Sequence, residues 1–209
     1  MPLRWLLSLV APPLCWSCGA PARVDAPLCG DCRGRLRWLG PELVEQAGVA
    51  AWAPVAYEGP ARDLVHALKF RGAAGVADAM AAQIVAGAPP GLLDEVALVP
   101  APLHPARLRR RGFNQAERLA AAIAGRTGLP GVHCLERRGR TSPQVGRPRG
   151  ARLTAVRDTV SLSGPAPESA LLVDDVITTG GTLAACAAAL RSGGSAVVLA
   201  VAYARTLGR

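Results

Sequence analysis

Leu171-Leu172-Val173-Asp174-Asp175-Val176-Ile177-Thr178-Thr179-Gly180-Gly181-Thr182-Leu183 is the stretch that decides how the chain is read. An apolar run, Ala170 to Val173, ends in two adjacent carboxylates; two apolar residues, a hydroxyl- and glycine-rich turn and an alanine-rich helical pattern follow. That order predicts a buried strand, an acidic edge, an anion-cradling loop and a helix N-terminus. Glycine lets backbone approach an anion closely, threonine hydroxyls add donors, and the helix start offers free N–H groups at the favourable end of its dipole. Asp174 and Asp175 then stand about one sugar from the cradled phosphate, placed to accept hydrogen bonds from ribose hydroxyls, so the layout suits a 5-phosphorylated ribose. The dinucleotide fingerprint G-x-G-x-x-G is not in this loop, and a P-loop ATPase needs G-x-x-x-x-G-K-[ST], whereas Lys69, the one lysine, sits in ALKFRG. An ordinary strand–turn–helix without a ligand does not need two acids at a buried strand end.

The length of 209 residues suits one α/β domain with a small appendage, and 50% hydrophobic residues supply a sizeable core. No apolar run reaches the ~18 residues of a membrane span. The first residues, MPLRWLLSLVAPPLCWSCG, have a signal-like charge and apolar run, broken by Pro12 and Pro13 and leading straight into a cysteine motif. They are read as a short helix packing on the body, and the protein as cytoplasmic.

Charge is localised. Thirteen arginines between His104 and Arg157 face only Glu117 and Glu136, so that segment carries +11 and the remainder of the +9 chain carries −2. A basic middle on a near-neutral body implies a polyanionic partner.

Cys15-x-x-Cys18 and Cys29-x-x-Cys32 form two knuckles whose four thiolates suit a tetrahedral centre, with structural zinc as the default metal. Gly19 and Gly30 are expected to permit the tight turns of the knuckles. A disulfide framework fits an oxidising compartment for which there is no convincing secretion signal, and neither knuckle opens a helix behind a strand as a redox pair would. Cys134 and Cys186, in apolar surroundings, read as small core residues.

Residues 1–40 are expected to hold the N-terminal helix and zinc module, and residues 49–209 the main domain, with Gly34 to Gly48 as a linker containing some helix. Strands are expected at Ala50–Tyr57 (with Pro54 forcing an edge or a bend), Val96–Val99, Gly131–Leu135, Thr159–Leu162, Ala170–Val173 and Ala196–Ala204. Helices are expected from Pro60 to Gly72, Val76 to Ala86, Asn114 to about Arg126 in a capping-box arrangement with Glu117, and Gly181 to Arg191. Arg137 to Gly150 has no periodicity and reads as a mobile loop or hairpin. Alternating strands and helices predict a parallel α/β sheet with its ligand at the carboxyl ends of the strands.

The 171–183 stretch resembles the phosphoribosyl pyrophosphate (PRPP) motif of type I phosphoribosyltransferases: hydrophobic strand, two acids, two apolar residues, Thr-Thr-Gly-x-Thr. With the Cys₄ module, YEGPARDLVHALKFRG, VPAPLHPARLRRRGFNQAE and RTSPQVGRPRGAR, essentially the whole chain resembles the ComF family, proteins of phosphoribosyltransferase-type fold linked to DNA uptake. The resemblance implies PRPP with Mg²⁺ as ligand, Asp174 and Asp175 on the ribose, and Thr178, Thr179, Gly180, Gly181 and Thr182 on the 5-phosphate. Pro100 to Arg111 takes the role of a pyrophosphate loop, with Arg107, Arg110 and Arg111 as the expected contacts, and Arg137 to Arg149 that of a closing loop. Single-stranded DNA and competence-machinery proteins are the implied partners. Stacking aromatics are scarce for that role: the basic segment holds only Phe113, while Trp16 and Trp38 lie in or near the metal module. His104 reads as a ligand contact or a loop-packing residue, and His66 and His133 receive no role.

Overall fold

The computed structural model describes residues 13–23, 26–71, 74–137 and 160–208. The helix expected at the N-terminus and most of the arginine-rich loop, with arginines 138, 140, 147, 149, 152 and 157, lie outside them. In chain order the elements are α1 (Gly30–Gly34), β1 (Val44–Glu45), β2 (Ala50–Trp52), β3 (Val55–Ala56), α2 (Gly59–Arg71), α3 (Ala74–Gly87) and β4 (Ala97–Pro100). There follow α4 (Pro105–Arg111), α5 (Gln115–Thr127), β5 (Leu135–Arg137), β6 (Val160–Leu162), β7 (Ser169–Ile177), α6 (Gly181–Ser192) and β8 (Val197–Arg205).

The main sheet runs β1-β2-β8-β7-β4, with β3 also paired to β8. All its ladders are parallel except β1–β2. This is the parallel α/β sheet flanked by helices that the sequence predicts. Parallel strands covered on both faces need apolar side chains pointing both ways, and β7 supplies them. Leu171 and Val173 join Leu64 and Leu68 of α2, Met80 and Ile84 of α3 and Leu119 and Ile123 of α5 in one core. Ala170 and Leu172 join Leu183, Cys186 and Leu190 of α6 in the other. Asp175 continues the first face, where its partners stand on α2 and α5, and Asp174 the second, where its charge bears on Cys186 of α6. The central strand thus carries its acids past the apolar core to the carboxyl end of the sheet.

Four local readings are corrected. Pro54 does more than bend a strand: it divides the expected Ala50–Tyr57 strand into β2 and β3. Gly131–Leu135 is not a strand; Gly131 makes only a single bridge to Leu98, and the chain pairs later, β5 lying antiparallel to β6 in a separate two-stranded sheet. The expected linker after Gly34 contains no helix beyond α1, but a hairpin of β1 and β2. The segment Pro100 to Arg111, read as a loop, ends in helix α4, which buries no residue and so shows no apolar period. Its signals were Pro105 at the first helical position and His104, whose Nδ1 accepts from the Ala106 N–H at 3.2 Å.

The β1–β2 turn bonds Gln46 N–H to Val49 O at 2.8 Å and Val49 N–H to Gln46 O at 3.2 Å. Both central residues have positive φ, 54° at Ala47 and 86° at Gly48, the two-residue type I′ form. Alanine is strained there, and asparagine is the preferred occupant. Ala47→Asn is therefore expected to stabilise the fold by about 1 kcal/mol, read as a raised denaturant midpoint with an unchanged slope. A lowered midpoint would contradict this account of the turn.

Candidate functional site

The carboxyl ends of β3, β4 and β7 meet at one cavity of about 190 Å³. Tyr57 follows β3, Ala101, Pro102 and Leu103 follow β4, Asp174, Asp175 and Val176 come from β7, Thr178 from the turn after it and Thr182 from the first turn of α6. Lys69 of α2, Arg107 and Arg111 of α4, Gln115 of α5 and Arg137 of β5 complete the lining. Two carboxyls therefore face four cations. Such a cavity suits an anionic group beside a hydroxyl-rich one.

Asp175, 3% exposed, is the most constrained group in it. Lys69 Nζ lies 2.6 Å from its Oδ2, and Gln115 Nε2 donates to its Oδ1 at 3.2 Å. Arg111 in turn donates to Gln115 Oε1 at 3.0 Å and lies 5.1 Å above the Phe70 ring. A relay thus runs from α4 through α5 and β7 to α2. Burial pushes the Asp174 carboxyl well above the usual carboxylate range, and the Asp175 charge adds to the effect. Its Oδ1 accepts the Asp175 N–H at 2.8 Å.

The turn after β7 leads into α6, with Gly180 at the N-cap in left-handed conformation, φ 75°. A side chain at Gly180 would meet Gln46 Cγ at 2.8 Å and Ala47 Cβ at 3.0 Å, so the β1–β2 turn lies against this glycine. Gln46 also donates to Thr178 O at 3.5 Å. Thr178 and Thr182 reach the cavity; Thr179, Gly180 and Gly181 shape the turn without lining it. Among the α4 arginines, Arg107 and Arg111 line the cavity and Arg110 lies exposed outside the lining. His104 caps α4 and stands outside the cavity lining. Asn114 caps α5 by accepting the Ala116 N–H at 3.1 Å, and its amide holds Ala101 O at 3.0 Å, fixing the cavity rim to α5. Glu117 meets the Asn114 side chain at 3.2 Å rather than its backbone, so the expected box is only half formed.

Away from the cavity, the sulfurs of Cys15, Cys18, Cys29 and Cys32 lie within 4.8 Å of one another, a set able to bind zinc. Cys18 and Cys29 are 3.6 Å apart, against about 3.8 Å for tetrahedral sulfurs around zinc. Burial pushes the Cys15 thiol up, but backbone hydrogen bonds at Cys29, Cys18 and Ser17 outweigh it and bring the thiol down to about 6. At Cys18 a backbone bond at Ala20 pulls down, and the three neighbouring thiols prevail, lifting it to about 12. Four crowded thiols shed a first proton readily and resist shedding the last, unless a cation takes the protons' place. Arg35 donates to Cys32 Sγ at 3.0 Å, an outer contact of the kind that steadies thiolate ligands. Gly19, at φ 74°, makes the turn expected of it, whereas Gly30 opens α1, with Cys29 at the N-cap position and no capping bond from its side chain. Cys134 and Cys186 are core residues, burial pushing Cys186 up to about 12 and leaving it inert.

No family model matches the chain. It is 30% identical over 201 residues to a Salmonella typhimurium protein named DNA utilization protein YhgH, covering 93% of this chain and 85% of that one. The chain belongs to the YhgH family. The Escherichia coli K12 protein of the same name is 28% identical over 236 residues, covering 95% of this chain and all of its own. Among solved structures, the chain is similar to a Giardia lamblia APRTase complexed with 9-deazaadenine, at 18% identity, 82% coverage of each chain and a TM-score of 0.41. An orotate phosphoribosyltransferase from Aeropyrum pernix is similar at 20% identity, covering 80% of this chain and 75% of that one, with a TM-score of 0.37.

Sequence reading missed Lys69, Gln115 and Tyr57 in the lining. The available signal was Lys69 itself, a lone lysine one turn before the end of a helix among 23 arginines, with no reason to differ unless its position demands it. Lys69→Met is expected to leave Asp175 buried without its cation and to cost roughly 3 kcal/mol in denaturant unfolding. The double change with Asp175→Asn should recover most of that loss; equal losses in the single and double variants would refute the pairing.

Proposed function

We propose that this protein is a ComF-like protein of DNA uptake, in which the cavity binds PRPP or a similar 5-phosphoribosyl ligand with Mg²⁺ and the arginine-rich segment binds DNA. The observation that carries the reading is the gathering of Asp174, Asp175, Thr178 and Thr182 with Lys69, Arg107 and Arg111 around one cavity at the strand ends. Asp174 and Asp175 would hold ribose hydroxyls, and the Thr178–Thr182 turn the 5-phosphate at the start of α6. Lys69, Arg107 and Arg111 would take pyrophosphate oxygens, with Arg110 offered to phosphate from the exposed face of α4. Arg111 and Arg137 support this: each has a buried Nε with no hydrogen-bond partner among the described residues. The name carried by the relatives, DNA utilization protein, supports the DNA side, and among the described residues no helix is long and apolar enough to cross a membrane. Magnesium, an oxygen-seeking ion that keeps several waters, would be held beside Asp174 and Asp175 and would offset the charge of the pyrophosphate.

A second reading, a transferase acting on a nucleobase or amine, is favoured by the same intact set of acids and cations. In it pyrophosphate leaves the ribose anomeric carbon as the acceptor bonds to it. The carboxylates would stabilise the cation-like sugar and the basic residues the departing charge, while the cavity positions the reactants.

Calorimetric titration of PRPP with magnesium is expected to show micromolar binding, weakened roughly 10- to 100-fold by Asp174→Asn through loss of charge-assisted hydrogen bonds. An absence of heat with either protein would sink the ligand reading; pyrophosphate release with an acceptor would promote the second. The same variant has an opposite effect on the fold. Because the Asp174 carboxyl titrates above its ordinary 3.8 when folded, the folded chain keeps a proton the unfolded one gives up, and stability falls as pH rises through that window. Asp174→Asn should therefore flatten this slope and melt higher than the parent at neutral pH. For the metal, elemental analysis is expected to give about one zinc per chain. Cys32→Ser, altering a wholly buried thiol, should lose the metal and lower the unfolding temperature by roughly 10 °C. Metal-free protein of unchanged stability would exclude structural zinc.

A further inference from the structure

A second cavity, of about 330 Å³, lies between the cysteine module and the outer face of α2. Its lining is Trp16 from the first knuckle and Arg62, Asp63, His66, Ala67 and Phe70 from α2. The volume falls within the range of small-molecule sites, about 300–1,000 Å³. Phe70 is 58% exposed, an unusual position for a phenylalanine on a helix whose other face is fully packed. Its ring meets His66 at 5.8 Å between centroids, tilted by 53°. Ser17 donates to Asp63 Oδ2 at 2.6 Å, so the knuckle that carries Trp16 is pinned to the helix that carries Phe70. The groove holds one arginine and one aspartate, and Asp63 would repel a phosphate lying there. Its aromatic walls suit a flat, apolar-faced heterocycle instead.

The surroundings say what the heterocycle is attached to. Lys69 and Phe70 are consecutive, the first lining the anion-binding cavity proposed above and the second this groove. Arg111, which lines that cavity, sits 5.1 Å above the Phe70 ring, so the two sites share a wall of cation on aromatic. The exposed arginines of α4 lie on the same helix as Arg111. An aromatic groove bordered by arginines alternates ring faces with phosphate donors, the arrangement on which single strands are held. In sequence these parts are far apart, the aromatics lying at 16 and 70 and the arginines beyond 106.

We infer that the groove between Trp16, His66 and Phe70 is a stacking site for a base of single-stranded DNA, whose neighbouring phosphates lie on Arg109 and Arg110, the exposed arginines of α4 that do not line the ligand cavity. This rests on the DNA-binding reading above and adds to it where the bases go. A duplex cannot enter, because its bases are already stacked on one another.

The test compares fluorescence anisotropy of the full chain with three labelled probes: a single-stranded oligonucleotide, the same backbone carrying abasic sites, and a duplex. The base-bearing strand is expected to bind about tenfold more tightly than the abasic strand, the worth of one base on one ring. Phe70→Leu keeps an apolar side chain under Arg111 but removes the ring face, and should erase that difference while leaving abasic binding and its salt dependence unchanged. Since Phe70 is largely exposed, the variant is expected to melt as the parent does, and His66→Ala gives a second probe of the same wall. Equal affinity for base-bearing and abasic strands would overturn the groove while the arginine–phosphate reading stands. Preference for the duplex would likewise overturn it, and failure to bind any of the three would overturn both.

Discussion

A carboxylate can be kept almost out of water at the end of a packed strand only if a cation is brought to it, and in this fold the contact between Lys69 and Asp175 does so. The pairing fixes more than two side chains. Lys69 comes from α2, Gln115 on the other oxygen begins α5, and Arg111 behind Gln115 ends α4. Three helices are thereby referred to one atom group on the central strand. Removing either charged partner would leave the other without its counter-charge at the cavity wall. Satisfied, the pair holds the acid in place and leaves Asp174 beside it as the group whose proton responds to its surroundings.

The parts of the fold legible in the sequence are those in which one local pattern has one physical outcome. The run from Ala170 to Asp175 reads as buried strand because apolar residues on both faces suit only a covered parallel strand. The α5 cap at Asn114 and the four cysteines are equally local. What escaped reading depends on distant contacts. Helix α4 is held by its cap and the chain on either side, burying nothing that would leave a period. Lys69 belongs to the cavity only because α2 crosses the end of β7. The aromatics judged too few for nucleic acid are few in the basic segment, and the fold, not the sequence, brings Phe70 under Arg111.

Two structural devices hold the site from outside it. The β1–β2 turn lies against Gly180 and so limits how far the Thr178–Thr182 turn can open, at the expense of an alanine in left-handed conformation. On the opposite flank the cysteine module does not stand apart from the body. Cys15, Leu28, Cys32 and Leu36 belong to the same core as α2 and α3, so order around the sulfurs is transmitted directly to the helix that bears Lys69 and Phe70.

The rarity of lysine has a chemical corollary. In 209 residues there is a single primary amine on a side chain, and it stands inside the cavity against Asp175. An amine-directed acylating reagent therefore has one side-chain target in the whole protein, and its rate of attack depends on whether that nitrogen is held by the carboxylate or covered by whatever fills the space beside it. Acylation of the Lys69 side chain thereby reports occupancy of the cavity with no label engineered in.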